Sequence, residues 1–203
     1  MKIFDISPLI HEKMLIYPGD GKVKFKNLKK AKNGGWNLSE FCMGGHTGSH
    51  VDTPLHISVD GKGGDAIDLT LCYGKCDVLD LSNVKIGNQI TKSDLEYQSI
   101  KLGRIVLLKT QNSNLDRIKF NKQFITLSED GANYLARFKI KAVGIDYLSL
   151  GNHKVHETLL MKGILVYENL DLSNVQPGNY IFSGFPLKMP IEGIPTRCIL
   201  IKE

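Results

Sequence analysis

The most informative stretch of this sequence reads His46-Thr-Gly-Ser-His50-Val-Asp52-Thr-Pro54-Leu-His56. The whole chain has six histidines in 203 residues, so an even spread would place fewer than one in a window of eleven. This window holds three, together with a carboxylate. Imidazole and carboxylate ligands in one place are typical of zinc, manganese or iron(II) sites. The segment therefore predicts a metal site.

The spacing within this segment supports the same interpretation. Its four candidate ligands are separated by even numbers of residues, which can bring side chains to one side of an extended or tightly turned backbone. Glycines at positions 44, 45 and 48 allow the backbone to bend closely around an ion, and Pro54 fixes a turn before His56. A single histidine is more often a surface or hydrogen-bonded core residue, whereas a cluster of this density favours metal binding.

A second group of polar residues lies later in the chain. His153, His156 and Glu157 precede the apolar run Ile164–Tyr167, which ends at Glu168. A carboxylate that closes a buried strand is costly unless it is paired or bound to a cation. Glu168 is therefore a candidate ligand, although a capping or surface role is an open alternative. We expect His153, in a polar loop, and His11 to face solvent.

Composition limits the class of protein. The chain is 42% hydrophobic and 23% charged with four cysteines, which excludes a disordered chain, a collagen and a disulfide scaffold. Its length predicts one domain, residues 1–203. There is no signal-peptide core and no apolar run long enough to span a bilayer. We therefore expect a cytoplasmic protein with reduced cysteines and no membrane partner.

A run of lysines between Lys22 and Lys32 accounts for much of the net charge of +5. It could form a nucleic-acid patch. However, polar and apolar residues alternate from Lys22 to Lys26 with the period of a half-buried strand, and lysines protect an edge strand from aggregation. No arginine is interleaved with the lysines and Phe25 is the one aromatic residue among them, which is less than base stacking requires. We therefore predict an edge strand and no nucleic-acid partner.

The pattern of short strands predicts an α+β domain with mixed sheets flanked by a few helices. Helix start signals occur at Thr91–Asp94, which resembles a capping box, and at Ser128, which begins a helix reaching about Phe138. The expected strands are 3–6, 23–28, 36–43, 104–109, 142–145, 164–167, 180–185 and 196–201.

The central segment resembles the HxGTHxDxPxH signature of the cyclase-like metal-dependent hydrolases, a family that includes bacterial kynurenine formamidases (arylformamidases). The resemblance extends over nearly the whole chain. Further similar segments are Asp5-Ile-Ser-Pro-Leu9, Tyr17-Pro-Gly-Asp20, Gly144-Ile-Asp146, Glu168-Asn-Leu-Asp-Leu172, Pro177-Gly-Asn-Tyr180 and Phe185-Pro-Leu187. The family fold is a compact swivelling β/β/α domain, usually assembled as dimers or larger oligomers, so a homodimer or homotetramer is expected here.

The resemblance also implies a site with two divalent metal ions, for which zinc is the first choice and manganese the second. His46 and His50 would bind one ion, and His156 would bind the other. Asp52 and Glu168 would bridge the two ions. The role of Asp146 stays open.

By the same resemblance, His56 stays free as general acid and base beside a metal-activated water, and Tyr17 contacts the substrate. Tyr17 stands where formamidases usually have tryptophan, and Ser49 where the family usually has threonine or alanine. The implied activity is hydrolysis of N-formyl-L-kynurenine to kynurenine and formate, a step of tryptophan catabolism. The alternative is an isatin-hydrolase-like enzyme that acts on another aryl or cyclic amide. A structural metal site without catalysis is disfavoured, because such sites are usually closed by cysteine-rich ligand sets.

Overall fold

The computed structural model describes residues 1–32 and 35–202. Within these residues the chain forms three short α-helices and thirteen strands. The helices are α1 (Lys92–Glu96), α2 (Glu129–Ala136) and α3 (His153–Leu160). The strands are β1 (Lys2–Asp5), β2 (Lys24–Lys29), β3 (Leu38–Cys42), β4 (His50–Asp52), β5 (Tyr73–Asp80), β6 (Gln89–Ile90), β7 (Ile105–Lys109), β8 (Thr126–Leu127), β9 (Ala142–Ile145), β10 (Leu165–Glu168), β11 (Gly178–Ser183), β12 (Gly193–Pro195) and β13 (Ile199–Lys202).

Nine of these strands form one mixed sheet in the order β1-β13-β11-β5-β7-β9-β10-β4-β12. The neighbours β5, β7, β9 and β10 are parallel, and the remaining pairs are antiparallel. Strand pairs β2-β3 and β6-β8 form two separate small sheets. This mixed architecture with few helices confirms the predicted α+β fold class.

The large sheet separates two hydrophobic clusters, because successive side chains of a strand point to opposite faces. On β7, Val106 and Leu108 face a cluster that includes apolar residues of all three helices. Ile105 and Leu107 face the other cluster, which contains Phe182 of β11 and other side chains of the antiparallel part of the sheet. Every side chain named here is buried.

Six of the helices and strands were not expected from the sequence, namely β4, β5, β6, β8, β12 and α3. Strand β5 lies in the middle of the sheet, yet its sequence contains Gly74, Lys75 and Asp77 and does not read as a buried strand. The structure accommodates Asp77 by pairing it with Arg104 at 3.2 Å. The predicted polar loop around His153 is instead the first turn of α3. Asn152 caps this helix by accepting a hydrogen bond from the backbone N–H of Val155.

The lysine-rich segment does form a strand, but not a half-buried one. Strand β2 pairs only with β3 in a two-stranded ribbon, with Phe25 opposite Phe41. Every residue of both strands is exposed. The alternation in the sequence therefore marks the two faces of a projecting ribbon. No helix among the described residues has the length and apolar character to cross a membrane.

Candidate metal centre

Two paired strands place three of the predicted ligands on one face of the sheet. Strand β4 is antiparallel to β10, with His50 opposite Glu168 and Asp52 opposite Val166. Val51 and Tyr167, the residues between them, face the other hydrophobic cluster. The period of two in each strand thus turns His50, Asp52 and Glu168 toward the helices. All three side chains are buried.

Helix α3 supplies the fourth ligand candidate from above this face. His156 lies on the buried side of the helix, and its ring Nδ1 lies 3.0 Å from the carbonyl oxygen of Asn152. That contact makes Nδ1 the donor and leaves Nε2 facing the sheet. The Nε2 atom lies 3.0 Å from Glu168 Oε1 and 3.5 Å from Asp52 Oδ2.

His46 reaches the same group from the turn that precedes β4. Its Nδ1 lies 3.0 Å from Asp52 Oδ1, and its side chain is 20% exposed. The turn requires glycine at position 48, where φ is +68° and a Cβ would meet the side chain of Ile10. On the other side, the His46 ring packs directly on the backbone of Gly193 in β12.

The resulting cluster contains two groups of three ligand atoms that share Asp52. In each group all ligand atoms lie within 4.8 Å of one another: one group is His46, His50 and Asp52, and the other is Asp52, His56 and His156. Glu168 joins the two groups, because its Oε2 lies 3.5 Å from His50 Nε2 and its Oε1 contacts His156. The backbone N–H of Leu150 donates a hydrogen bond to Glu168 Oε1 at 2.5 Å and fixes the carboxylate.

The donor atoms fit a divalent cation. His50 Nδ1 lies 2.9 Å from the carbonyl oxygen of Gly48, so this ring, like that of His156, donates one N–H to the backbone and directs Nε2 inward. Metal-binding histidines are oriented in this way. In addition, His50 Nε2 and both carboxylate oxygens of Asp52 are buried, and their partners among the described residues are the ring nitrogens and carboxylates of the same cluster, at 3.0–3.5 Å. Burying such atoms is costly unless a cation satisfies them.

The pKa values of the cluster also show that positive charge is favoured there, since those of two histidines are raised and that of Asp52 is lowered. Burial by itself lowers the pKa of His50, but the hydrogen bond with Glu168 and the charge of Asp52 outweigh it and raise the pKa to about 9. For His156, burial is likewise outweighed by hydrogen bonds with Asp52 and Glu168, which raise the pKa to about 11. Burial raises the pKa of Asp52, yet hydrogen bonds with His156 and His46 hold it well below its usual range.

His56 lies at the edge of the cluster. It ends a short 3₁₀ helix that begins at Pro54, and its exposed ring is 4.5 Å from the His46 ring and 5.5 Å from the His156 ring, measured between centroids. Burial of ring atoms lowers the pKa of His56 despite the attraction of Asp52, and the nearby histidines lower it further. A neutral imidazole that reaches the open side can accept a proton.

A cavity of about 370 Å³ opens over the cluster, a volume within the range of small-molecule sites. Its walls include the predicted residues Tyr17, His46, His56, His156 and Glu168. The Tyr17 ring is held edge-to-face against Phe120, with 5.4 Å between ring centroids. The other lining residues are Asp20, Ile57, Leu148, Ser149, Gly151 and His153.

Several of these residues were missed in the sequence. His153 is exposed, as expected, but it lies at the cavity wall. Asp20 comes from an N-terminal turn distant in sequence from the other residues. Glu192, whose Oε1 lies 3.8 Å from His46 Nε2, is likewise brought in by folding. A signal existed for two of them, because His153 lies three residues before His156 on one helix and Asp20 lies three residues after Tyr17.

Two other polar residues have structural contacts. Asp146, whose role the sequence left open, accepts hydrogen bonds from the N–H and hydroxyl groups of Thr110 and Ser113. It therefore secures the loop that follows β7. The buried Ser49 hydroxyl donates to the carbonyl oxygen of Asn169 at 2.9 Å. This bond ties the histidine segment to the residue after Glu168.

Buried histidines and carboxylates at the base of a cavity are suited to metal-assisted chemistry. The sequence model of the family described as "Putative cyclase" matches residues 4–152, and the chain belongs to this family. Among its relatives, Cyclase-like protein 2 of Oryza sativa subsp. japonica is 34% identical, covering 99% of this chain and 79% of the relative. Kynurenine formamidase of Geobacillus thermodenitrificans is 30% identical, covering 98% and 96%.

Solved structures agree with this assignment. A potential metal-dependent hydrolase with cyclase activity superposes with a TM-score of 0.88 at 33% identity, covering 100% of this chain and 98% of the other. Isatin hydrolase A of Labrenzia aggregata also reaches a TM-score of 0.88, at 17% identity and with coverage of 100% and 94%. The second likeness shows a shared fold. The chain is thus a hydrolase of the cyclase family with a cluster suited to a divalent metal.

Proposed function

We propose that this protein is an arylformamidase that hydrolyses N-formyl-L-kynurenine to kynurenine and formate, a reaction of tryptophan catabolism. The observation that carries the proposal is the pair of ligand groups sharing Asp52 at the base of a small-molecule cavity. The relative named kynurenine formamidase, which matches over nearly its full length, supports the choice of substrate.

The cluster is proposed to hold two divalent cations, zinc in preference to manganese. His46 and His50 would be ligands of one ion and His156 of the other, with Asp52 and Glu168 between them. This arrangement accounts for the inward Nε2 atoms and for the complete burial of the Asp52 carboxylate. When bound, such ions polarise a carbonyl group and lower the pKa of a coordinated water to about 7.

The chain's own residues then orient the substrate and move the proton. Water adds to the formyl carbon, the C–N bond breaks, and the departing aniline nitrogen needs a proton. His56 faces the open side of the cluster and its lowered pKa favours the neutral ring, so it can take a proton from the attacking water and deliver it to that nitrogen. The exposed edge of the Tyr17 ring is placed to contact the aryl group of the substrate.

Three further properties belong to the proposal. Residues 1–203 form one domain, the enzyme works in the cytoplasm, and it assembles as a homodimer or homotetramer. The exposed apolar side chains of the β2-β3 ribbon support self-association, because an isolated two-stranded ribbon is only marginally stable in water.

The test is an assay of protein loaded with zinc or manganese, with N-formylkynurenine and isatin as separate substrates. We expect formate release from N-formylkynurenine, loss of activity on chelation, and recovery when metal is restored. Asp52→Asn should abolish activity, whereas Asp60→Asn, which removes an exposed carboxylate outside the cavity, should not. Ring opening of isatin without formate release from N-formylkynurenine would contradict the proposal.

That contrary result would favour the alternative, an isatin-hydrolase-like enzyme acting on a cyclic aryl amide. The observation behind this alternative is that Tyr17 lines the cavity. Formamidases usually have tryptophan at this position, and the tyrosine side chain is smaller and more polar.

A further inference from the structure

A turn in the N-terminal segment brings an aromatic ring and a carboxylate to the same cavity wall. The backbone N–H of Asp20 donates to the carbonyl oxygen of Tyr17 at 3.1 Å, and Gly19 between them has φ of +106°. Proline at the second position and a glycine with positive φ at the third are typical of a type II turn. Such a turn places its first and fourth residues side by side, and both Tyr17 and Asp20 line the cavity.

Asp20 is not one of the candidate metal ligands. Within residues 1–32 and 35–202, the groups whose ligand atoms lie close enough to share an ion do not include it. Nor does any side-chain hydrogen bond or salt bridge within those residues occupy its carboxylate. Asp20 is partly buried. The cavity therefore has a negative charge that neither the metal cluster nor the packing of the chain uses.

This charge can distinguish between substrate classes. N-formylkynurenine carries an α-amino-acid group in addition to its aryl formamide, and the ammonium of that group is positive at neutral pH. Isatin has no cationic group. A carboxylate beside the aromatic wall is placed to bind an ammonium once Tyr17 contacts the aryl ring, and hydrogen bonds between charged groups are stronger than neutral ones.

We infer that Asp20 binds the ammonium end of the substrate's zwitterionic α-amino-acid group, so that the enzyme selects aryl amides bearing an α-amino-acid group over aryl amides without one. The inference rests on the proposed function and makes Asp20 its specificity-determining residue. Because the carboxylate is partly buried, its attraction for the ammonium is screened less than that of a surface acid.

Equilibrium binding tests the inference without requiring turnover. Kynurenine and 2-aminoacetophenone, which lacks the amino-acid group, are titrated calorimetrically into metal-loaded wild-type protein, Asp20→Asn and Asp60→Asn. We expect the wild type to bind kynurenine more tightly by about tenfold or more. Asp20→Asn should reduce that preference to within about twofold, and Asp60→Asn should keep it. Asp20→Glu, which retains the charge, should keep part of it.

The outcomes separate this inference from the proposed function. Equal binding of the two ligands by the wild type, or an undiminished preference in Asp20→Asn, overturns the role of Asp20. Metal content and unfolding temperature of each variant identify a folding defect, and in that case the salt dependence of the wild-type preference decides. An ammonium contact predicts that the preference falls as salt rises, and a salt-independent preference overturns it. Formate release from N-formylkynurenine, measured on the same samples, tests the proposed function separately.

Discussion

Replacing Gly193 by alanine should disable one half of the metal centre. Gly193 lies in β12 opposite Asp52 of β4, and the His46 ring packs on its backbone. A Cβ at this position would lie 2.6 Å from Cε1, 2.7 Å from Nδ1 and 2.8 Å from Nε2 of that ring. Ordinary contacts begin near 3.4 Å, so the ring must move by about 0.6–0.8 Å.

The size of the effect follows from that displacement. Overpacking of a well-packed site costs about 1–3 kcal/mol, and in a chain of this length each kcal/mol lowers the unfolding temperature by about 2–4 °C. His46 Nδ1 lies 3.0 Å from Asp52 Oδ1, so moving the ring also disturbs the group formed by His46, His50 and Asp52. Mutating a group that orients a metal ligand typically weakens metal binding about 10–100-fold, and Gly193 orients His46 in this way.

The measurement is metal stoichiometry by elemental analysis combined with a chelator-competition titration. We expect Gly193→Ala to retain about one equivalent of metal where the wild type retains two. Gly21→Ala is a matched control, because its Cβ would approach only Gly44, at 3.6 Å, and it should bind metal like the wild type. Unchanged stoichiometry and affinity in Gly193→Ala would show that His46 is not a ligand, which would refute the reasoning.

Two further predictions concern His56 on the open side of the site and Glu168, which joins the two ligand groups. His56→Ala should keep its metal while kcat falls about 10²–10⁴-fold, because it removes a proton carrier. If metal content falls in proportion to activity, His56 is instead a ligand in the group with Asp52 and His156. Glu168→Gln should lower bound metal at both positions, since the charge is lost while the shape is kept. If elemental analysis finds as much metal in Glu168→Gln as in the wild type, Glu168 is not a metal ligand and acts only through its hydrogen bonds.

The local sequence pattern predicted much of the fold but missed β5, one of the inner strands of the large sheet. Strand β9 was predicted with its observed bounds, because Ala142–Ile145 is a short apolar run that the structure buries completely. Strand β5 was missed because its polar residues are acceptable only in their tertiary setting. Asp77 is tolerated in the middle of the sheet through Arg104, which is 27 positions away in sequence. Periodicity cannot detect a partner at that distance.

The candidate site was likewise predicted only in part from the sequence. The candidate metal ligands in the segment His46–His56 could be recognised from the sequence, because this short stretch contains three histidines and a carboxylate at even spacing. The hydrogen-bonding state of those histidines was not readable, because it depends on the carbonyl groups of Gly48 and Asn152. The sequence also could not exclude a surface role for Glu168, which is decided by the pairing of β10 with β4.

The sequence by itself thus determined the chemistry of the cluster, because ligand type and local spacing are properties of a short segment. Only the tertiary structure decided what surrounds the cluster. Gly193 lies 147 residues after His46 in the sequence, and Asp20 lies 26 residues before it. Their contacts with the site exist because β12 pairs with β4 and because the N-terminal turn closes the cavity wall. Contacts between distant segments arise from the packing of the whole sheet, which no local pattern encodes.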